Sequence, residues 1–283
     1  MNQVSIEETG LLKIDENELE LSMQIDMDGF SFCLKHISEN KIVALQHIQN
    51  QELKPLDIFF NEVWSSNKLL NNRYAAFRLM YTNTRVTLIP DALFKEQDAA
   101  AVYAYNFHDC QKEKLKTSRL NKCEAHAIFG IPETFIETVN NYVPCTWIPH
   151  ILPFIESNLI NFKLSDDQIH PIMYVECHNR FIDLLVVDGS GVKLYNNFSV
   201  QSDKDIIYFI LNIFDKLSLD AEKVQVIFSG NISTESASVI TLQKFIRHVF
   251  FTARRSDLKF TYRMQEIAPH LFSNLLNLAV CEL

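Results

Sequence analysis

Carboxylates placed beside turn residues are the first groups in this 283-residue chain with types and spacing suited to chemistry. Asp26, Asp28 and Gly29 stand together in Ile25-Asp26-Met27-Asp28-Gly29, and Glu176 stands in Val175-Glu176-Cys177-His178-Asn179. Asp26 and Asp28, brought together with Glu176, would hold a divalent cation for metal-assisted attack on a phosphate ester. The plainer reading is a set of solvated carboxylates flanking two hairpin turns. His108 and Cys110, followed by Cys123 and His126, have the residue types of a zinc site. They lack the usual close pairing of cysteines, and Cys123 and His126 open an expected strand whose alternation sets them on opposite faces. Cys145 with His150, and Cys177 beside His178, pair a thiol with a base, but no third group is in view to orient either histidine. Buried structural cysteine is the commoner fate.

The basic run Lys112-Glu113-Lys114-Leu115-Lys116-Thr117-Ser118-Arg119 offers a contact for nucleic acid or an acidic partner, and reads more simply as a solvated connector. Arg247, Arg254 and Arg255 form a smaller patch of the same kind. Charge argues against nucleic acid. The 26 Lys and Arg are outnumbered by 35 Asp and Glu, a net charge of −9, whereas phosphate-backbone binding needs a basic surface. The chain has only 6 glycines, so few places exist where bare backbone meets a phosphate. Gly189 and Gly191 lie in a hairpin rather than opening a helix, which excludes a dinucleotide fingerprint there. The most apolar stretch, Ile206–Phe214, is shorter than the ~20 residues of a spanning helix, so no membrane span is expected. The start MNQVSIEETG carries no secretory signal, and the six scattered cysteines read as reduced thiols of a cytoplasmic protein.

The elements that must position these groups come in a doubled order. Leu21–Asp26, Phe30–Leu34 and Lys41–Ile48 alternate as strands joined by tight turns. A helix follows from Pro55, with Leu56, Phe59, Phe60, Val63 and Trp64 at helical spacing, and then an apolar stretch, Tyr74–Tyr81, and a short strand, Val86–Ile89. Strand, strand, strand, helix, strand returns at Pro171–Glu176, Phe181–Val187, Val192–Phe198, a helix opened by Asp203, and Val224–Phe228. Setting Asp26 over Glu176 superposes Phe32 on Ile182 and Leu34 on Leu184, an offset of half the chain. Glu124–Ile131 reads as a strand and Glu133–Tyr142 as a helix. Ser238–Phe251 reads as a helix, Leu258–Arg263 as a strand, and Pro269–Val280 as a closing helix. The expected division is a flexible N-terminus over residues 1–19, a first half over 20–142, a proline-rich hinge over 143–170 and a second half over 171–283. Trp64, Tyr103, Tyr105 and Trp147 are the aromatics whose exposure would mark a protein interface.

This doubled α/β order resembles the actin-like ATPase fold of sugar kinases, heat-shock-70 chaperones and pilus proteins, two ribonuclease H-like halves, each a mixed sheet with flanking helices. With Thr87-Leu88-Ile89-Pro90-Asp91-Ala92-Leu93-Phe94 after the LSMQIDMDGFSF opening, the chain is similar to an uncharacterised bacterial family of about this length grouped with that fold. The resemblance implies ATP and Mg²⁺ held by Asp-x-Gly turns in the first hairpin of each half, and adenosine by a glycine-rich turn after a later strand. Here Asp28 stands at the first glycine position, with Gly29 one residue late. In the second turn Glu176 replaces the aspartate and His178 the glycine, and the adenosine turn keeps Gly230 alone. The expectation is a non-hydrolysing scaffold that binds a protein, without cofactor. The alternative is a divergent Mg-dependent ATPase or phosphotransferase using Asp26, Asp28, Gly29, Glu176 and Gly230 between the halves. A ribonuclease H-like nuclease is a third and weaker option.

Overall fold

The computed structural model describes every residue except 1–3, 9, 12–13, 109–111, 166–167 and 282–283. The chain divides into two compact units, Met1–Leu152 with Arg255–Ile267 and Leu275–Leu283, and Pro153–Arg254 with Ala268–Asn274.

In the first unit β1 (Val4–Glu7) precedes the meander β2 (Leu19–Asp26), β3 (Gly29–His36) and β4 (Lys41–Gln49), followed by α1 (Leu56–Ser66) and β5 (Ala76–Tyr81). A second, three-stranded sheet is then built from β6 (Val86–Pro90), α2 (Ala99–Asn106), β7 (Glu113–Leu120) and β8 (Ala125–Pro132), after which come α3 (Glu133–Asn140) and β9 (Thr146–Pro149). The main sheet runs β1-β4-β3-β2-β5-β9, antiparallel through the meander and parallel from β2 to β5 to β9. Alternation in β2 buries Leu19, Leu21, Met23 and Ile25, all at most 3% exposed. Pro55 and Pro132 stand just before α1 and α3, where a missing N–H costs no helical bond. The apolar stripe of α1 packs into an aromatic cluster. Phe60 lies 5.2 Å from Trp64, 5.6 Å from Phe135 and 5.6 Å from Phe30 between ring centroids. Each such ring pair adds about 0.5–1.5 kcal/mol beyond burial.

After α4 (Ile151–Leu164) the second unit repeats the pattern with β10 (Ile172–Cys177), β11 (Phe181–Asp188), β12 (Gly191–Ser199), α5 (Asp203–Lys216) and β13 (Gln225–Gly230), then α6 (Ala237–Leu242) and β14 (His248–Phe251). Its sheet order, β12-β11-β10-β13-β14, reproduces β4-β3-β2-β5-β9 strand for strand and direction for direction. β10 is buried along its whole length: β11 and β13 flank it, and Met173, Val175 and Cys177 on one face join the apolar core. β15 (Lys259–Phe260) then pairs parallel with β4 in the first unit, and α7 (Ser273–Leu278) follows. Arg78 on β5 donates to the carbonyls of Leu278 and Cys281 at 3.0 and 2.8 Å, tying the last residues of the first unit to its sheet.

Several elements differ from the sequence reading, each for a tertiary reason. Residues 4–7 lie in the stretch expected to fray, yet they pair antiparallel with β4 as an added sheet edge. The basic run forms edge strand β7 rather than a connector. The exposed Lys114 guards that edge against further pairing, and Arg119 donates to Asp91 at 2.7 and 3.1 Å. The helix expected across Ser238–Phe251 stops at Leu242, because His248–Phe251 adds to β13 and packs Val249 and Phe251 on the core. Beyond β15 the expected strand becomes a short 3₁₀ turn over Tyr262–Glu266. Asp203 is the first residue of α5, and its carboxylate accepts the Ser238 amide of α6 at 3.2 Å.

The three-stranded sheet contains a close approach that fixes one glycine. The Tyr103 hydroxyl donates to Glu113 at 2.8 Å, and Arg85 donates to the other Glu113 oxygen at 2.9 Å. A Cβ on Gly130 would collide with that hydroxyl and reach 2.5 Å from Glu113 Oε2. Because Tyr103 is 1% exposed it has nowhere to move. Gly130→Ala is therefore expected to cost about 2–3 kcal/mol through overpacking and the broken hydrogen bond, read as a lower urea midpoint at unchanged slope. A midpoint equal to wild type would show that this sheet adapts.

Candidate functional site

In the first unit, Asp26 closes β2 and faces Gly29 across the turn to β3. Gly29 is required by proximity: a Cβ there would sit 2.5 Å from the Ile48 carbonyl oxygen and 3.1 Å from Gln49 Cα. Asp26 Oδ1 accepts the Asp28 amide at 2.8 Å, and the Gly29 amide also bonds this carboxyl. Burial pushes the Asp26 acid up to about 7; the two amides oppose that rise and the Asp28 charge adds to it. Asn50 pins the loop from the other side, its amide donating to the Asp28 carbonyl at 2.8 Å. The structure thus brings Asp26, Asp28 and Gly29 into one turn, with backbone amides pointing at the turn's own side chain.

In the second unit, Glu176 on β10 pairs in register with Asp183 on β11 and with Ser229 on β13. It is 4% exposed, and its Oε2 accepts a short bond from the Ser229 hydroxyl and one of 3.5 Å from Ser273. Burial pushes this acid up to about 8; the Ser229 bond opposes the rise and the Asp183 charge reinforces it. Gly230 ends β13 opposite Cys177, at a φ of +80°. A Cβ on it would strike the Cys177 carbonyl oxygen, so glycine here serves the parallel pairing. The amides around it are engaged within the unit. Gly230 donates to the His270 carbonyl at 2.8 Å, Asn231 to that of Cys177 at 2.7 Å and Ile232 to that of Gly230 at 3.0 Å.

Sequence reasoning missed a buried network in the same unit. Asp183, fully buried, has one oxygen on His178 Nε2 at 2.8 Å and accepts the Tyr195 hydroxyl on the other at 2.6 Å. The His178 ring stacks on Phe181 at 4.1 Å, and burial followed by the Asp183 charge drives the Tyr195 phenol well above its ordinary range. The available signal was the lone acid inside the apolar run Phe181-Ile182-Asp183-Leu184-Leu185, since a charge there must find partners.

The remaining candidates resolve individually. Cys110 lies outside the described residues. His126 stacks on Phe94 at 3.8 Å beside Asp91, and Cys123 lies 3.9 Å from the Leu120 carbonyl. Burial pushes the Cys145 thiol up to about 12 and that of Cys177 well above its ordinary value, so neither supplies a thiolate near neutrality. Trp64, Tyr103 and Trp147 are buried, while Tyr105 is 86% exposed. Among the described residues no helix is long and apolar enough to cross a membrane.

The fold has solved counterparts. A Bacteroides thetaiotaomicron protein with actin-like ATPase fold and unknown function superposes with a TM-score of 0.82 at 23% identity, over 94% of this chain and 97% of that one. A chain of the PilM-PilN type IV pilus biogenesis complex superposes with a TM-score of 0.61 at 11% identity, over 94% and 98% of the two chains. Such identities show the fold, and the fold is the actin-like one that the doubled strand order builds. A curated dTDP-glucose 4,6-dehydratase of Salmonella typhimurium is 25% identical over 96 residues, 31% of this chain and 27% of the enzyme, so the chain spans about a quarter of that relative's length. Residues 11–249 match the family described as "Protein of unknown function (DUF3822)", and the chain belongs to that family.

Proposed function

We propose that this actin-like chain is a non-catalytic component of the cytoplasm that works by binding a protein, as a scaffold, and that it does not use ATP. The observation that carries this reading is the state of the backbone amides. Those of Asp28 and Gly29 bond the Asp26 carboxyl, and those of Gly230, Asn231 and Ile232 bond carbonyls of their own unit. A phosphate would have to displace each of them, and every buried amide or carbonyl left behind costs about 1–3 kcal/mol. The carboxyls fit Mg²⁺ poorly as well. Asp26 Oδ1 already accepts the Asp28 amide and Glu176 Oε2 the Ser229 hydroxyl, so a hard cation would have to compete with both bonds. The PilM-PilN complex, in which a protein of this fold is part of a protein assembly, supports the binding role.

The rival reading, a divergent Mg-dependent ATPase or phosphotransferase, requires Asp26 to ionise and hold the metal. Phosphate release from ATP with Mg²⁺ separates the two. The scaffold reading expects wild type and Asp26→Ala to match the buffer blank. Turnover by wild type that disappears in Asp26→Ala would overturn it.

A further inference from the structure

The first unit contains a concave pocket of about 580 Å³, lined by no residue of either hairpin turn and within the range of small-molecule sites. Its aromatic side is formed by Trp64 of α1, Phe77 of β5 and Tyr142 just after α3. Trp64 lies 5.5 Å from Tyr142 and 5.9 Å, edge-on, from Phe77. Two loops complete it, Asn71-Asn72-Arg73-Tyr74 before β5 and Asn141 to Pro144 before β9. Arg73 is the single charged residue of the lining, and no described side chain pairs with its guanidinium. The Arg73 backbone amide donates to Glu16 at 3.3 Å, so a carboxylate already stands beside the arginine.

We infer that this pocket binds an aromatic carboxylate, its ring against Trp64, Phe77 and Tyr142 and its acid on Arg73. Trp64, Phe77 and Tyr142 pack on one another in tilted and edge-on arrangements, and an incoming aromatic ring extends such a cluster more fully than an aliphatic chain would. A planar guanidinium matches a carboxylate through two parallel hydrogen bonds. Phosphate fits less well, because its second charge would face Glu16 with one arginine to offset it. The same chemistry is found in a free aromatic acid and in a chain ending in Phe or Tyr. This inference is independent of the nucleotide reading, since no residue of either hairpin turn lines the pocket.

The test uses the full chain and its two tryptophan indole N–H signals in a ¹H–¹⁵N correlation spectrum, assigned with Trp147→Phe. N-acetylphenylalanine is expected to shift the Trp64 signal saturably below about 20 mM, a range typical of a fragment of this size. N-acetylphenylalaninamide, which lacks the acid, should bind at least about fivefold more weakly. Arg73→Gln should weaken the acid to the level of the amide while leaving the melting temperature unchanged. Equal binding of acid and amide, a Trp64 signal that does not saturate, or full binding by Arg73→Gln would each overturn the inference. The peptide Ser-Gly-Gly-Phe identifies the source of the ligand. Tighter binding than N-acetylphenylalanine favours a partner's chain end, and weaker binding favours a free acid.

Discussion

Glu176→Gln is expected to make the protein more stable than wild type at pH 9, although it removes a carboxyl with two hydroxyl partners. In the fold this acid titrates near 8, against 4.5 ordinarily. Below 4.5 both the folded and unfolded chains hold the proton. Between there and 8 the folded chain binds more protons than the unfolded one, so wild type loses stability as pH rises and levels off above that range. At about 1.4 kcal/mol per unit, the loss is on the order of 3–5 kcal/mol. Glutamine keeps the shape and the hydrogen-bonding oxygen with no proton to lose, so its stability curve should be flatter through this window. Asp26, pushed up to about 7, leaves a smaller slope of the same sign in the variant. Melting temperatures of both proteins at half-unit steps from pH 4.5 to 9 decide the matter. Parallel curves would mean that Glu176 is ionised in the fold.

Gly230→Ala is expected to destabilise the second unit by about 3 kcal/mol or more, lowering its melting temperature by roughly 6–12 °C. Two effects combine. The left-handed φ of +80° disfavours any Cβ, and the new methyl would strike the Cys177 carbonyl oxygen and lie 2.9 Å from the Cys177 nitrogen. Both of those atoms are backbone of β10, so relief requires the parallel β10–β13 pair to open. Gly191→Ala separates the two effects, because its φ is +110° but no atom lies within 4 Å of its Cβ position. It should cost only about 1 kcal/mol. A Gly230→Ala protein as stable as Gly191→Ala would mean that Gly230 is kept for something other than strand pairing.

The halves were legible because their strands and helices announce themselves locally. Leu21, Met23 and Ile25 alternate, Phe59, Phe60, Val63 and Trp64 repeat at helical spacing, and Pro55 and Pro132 mark helix starts. The elements that escaped are set by partners distant in sequence. Val4–Glu7 becomes a strand only beside Ala44–His47, and His248–Phe251 only beside Gln225–Phe228. The same limit applied to the candidate site. Asp26, Gly29 and Gly230 stand out from sequence as turn residues, but what they do depends on their neighbours. Nothing local to Glu176 announces Ser229, 53 positions away, or Ser273, 97 away. The zinc-like set around His126 went the other way, its residue types suggesting a metal while the fold gives that histidine to Phe94 and Asp91.

Calorimetric titration with ATP and ADP, with and without Mg²⁺, decides whether the hairpin turns hold a nucleotide. A scaffold that does not use ATP gives no saturable heat up to about 1 mM nucleotide, a limit of roughly −4 kcal/mol. A dissociation constant below about 100 μM, roughly −5.5 kcal/mol, that is lost in Asp26→Ala would contradict it and return the hairpin turns to nucleotide binding.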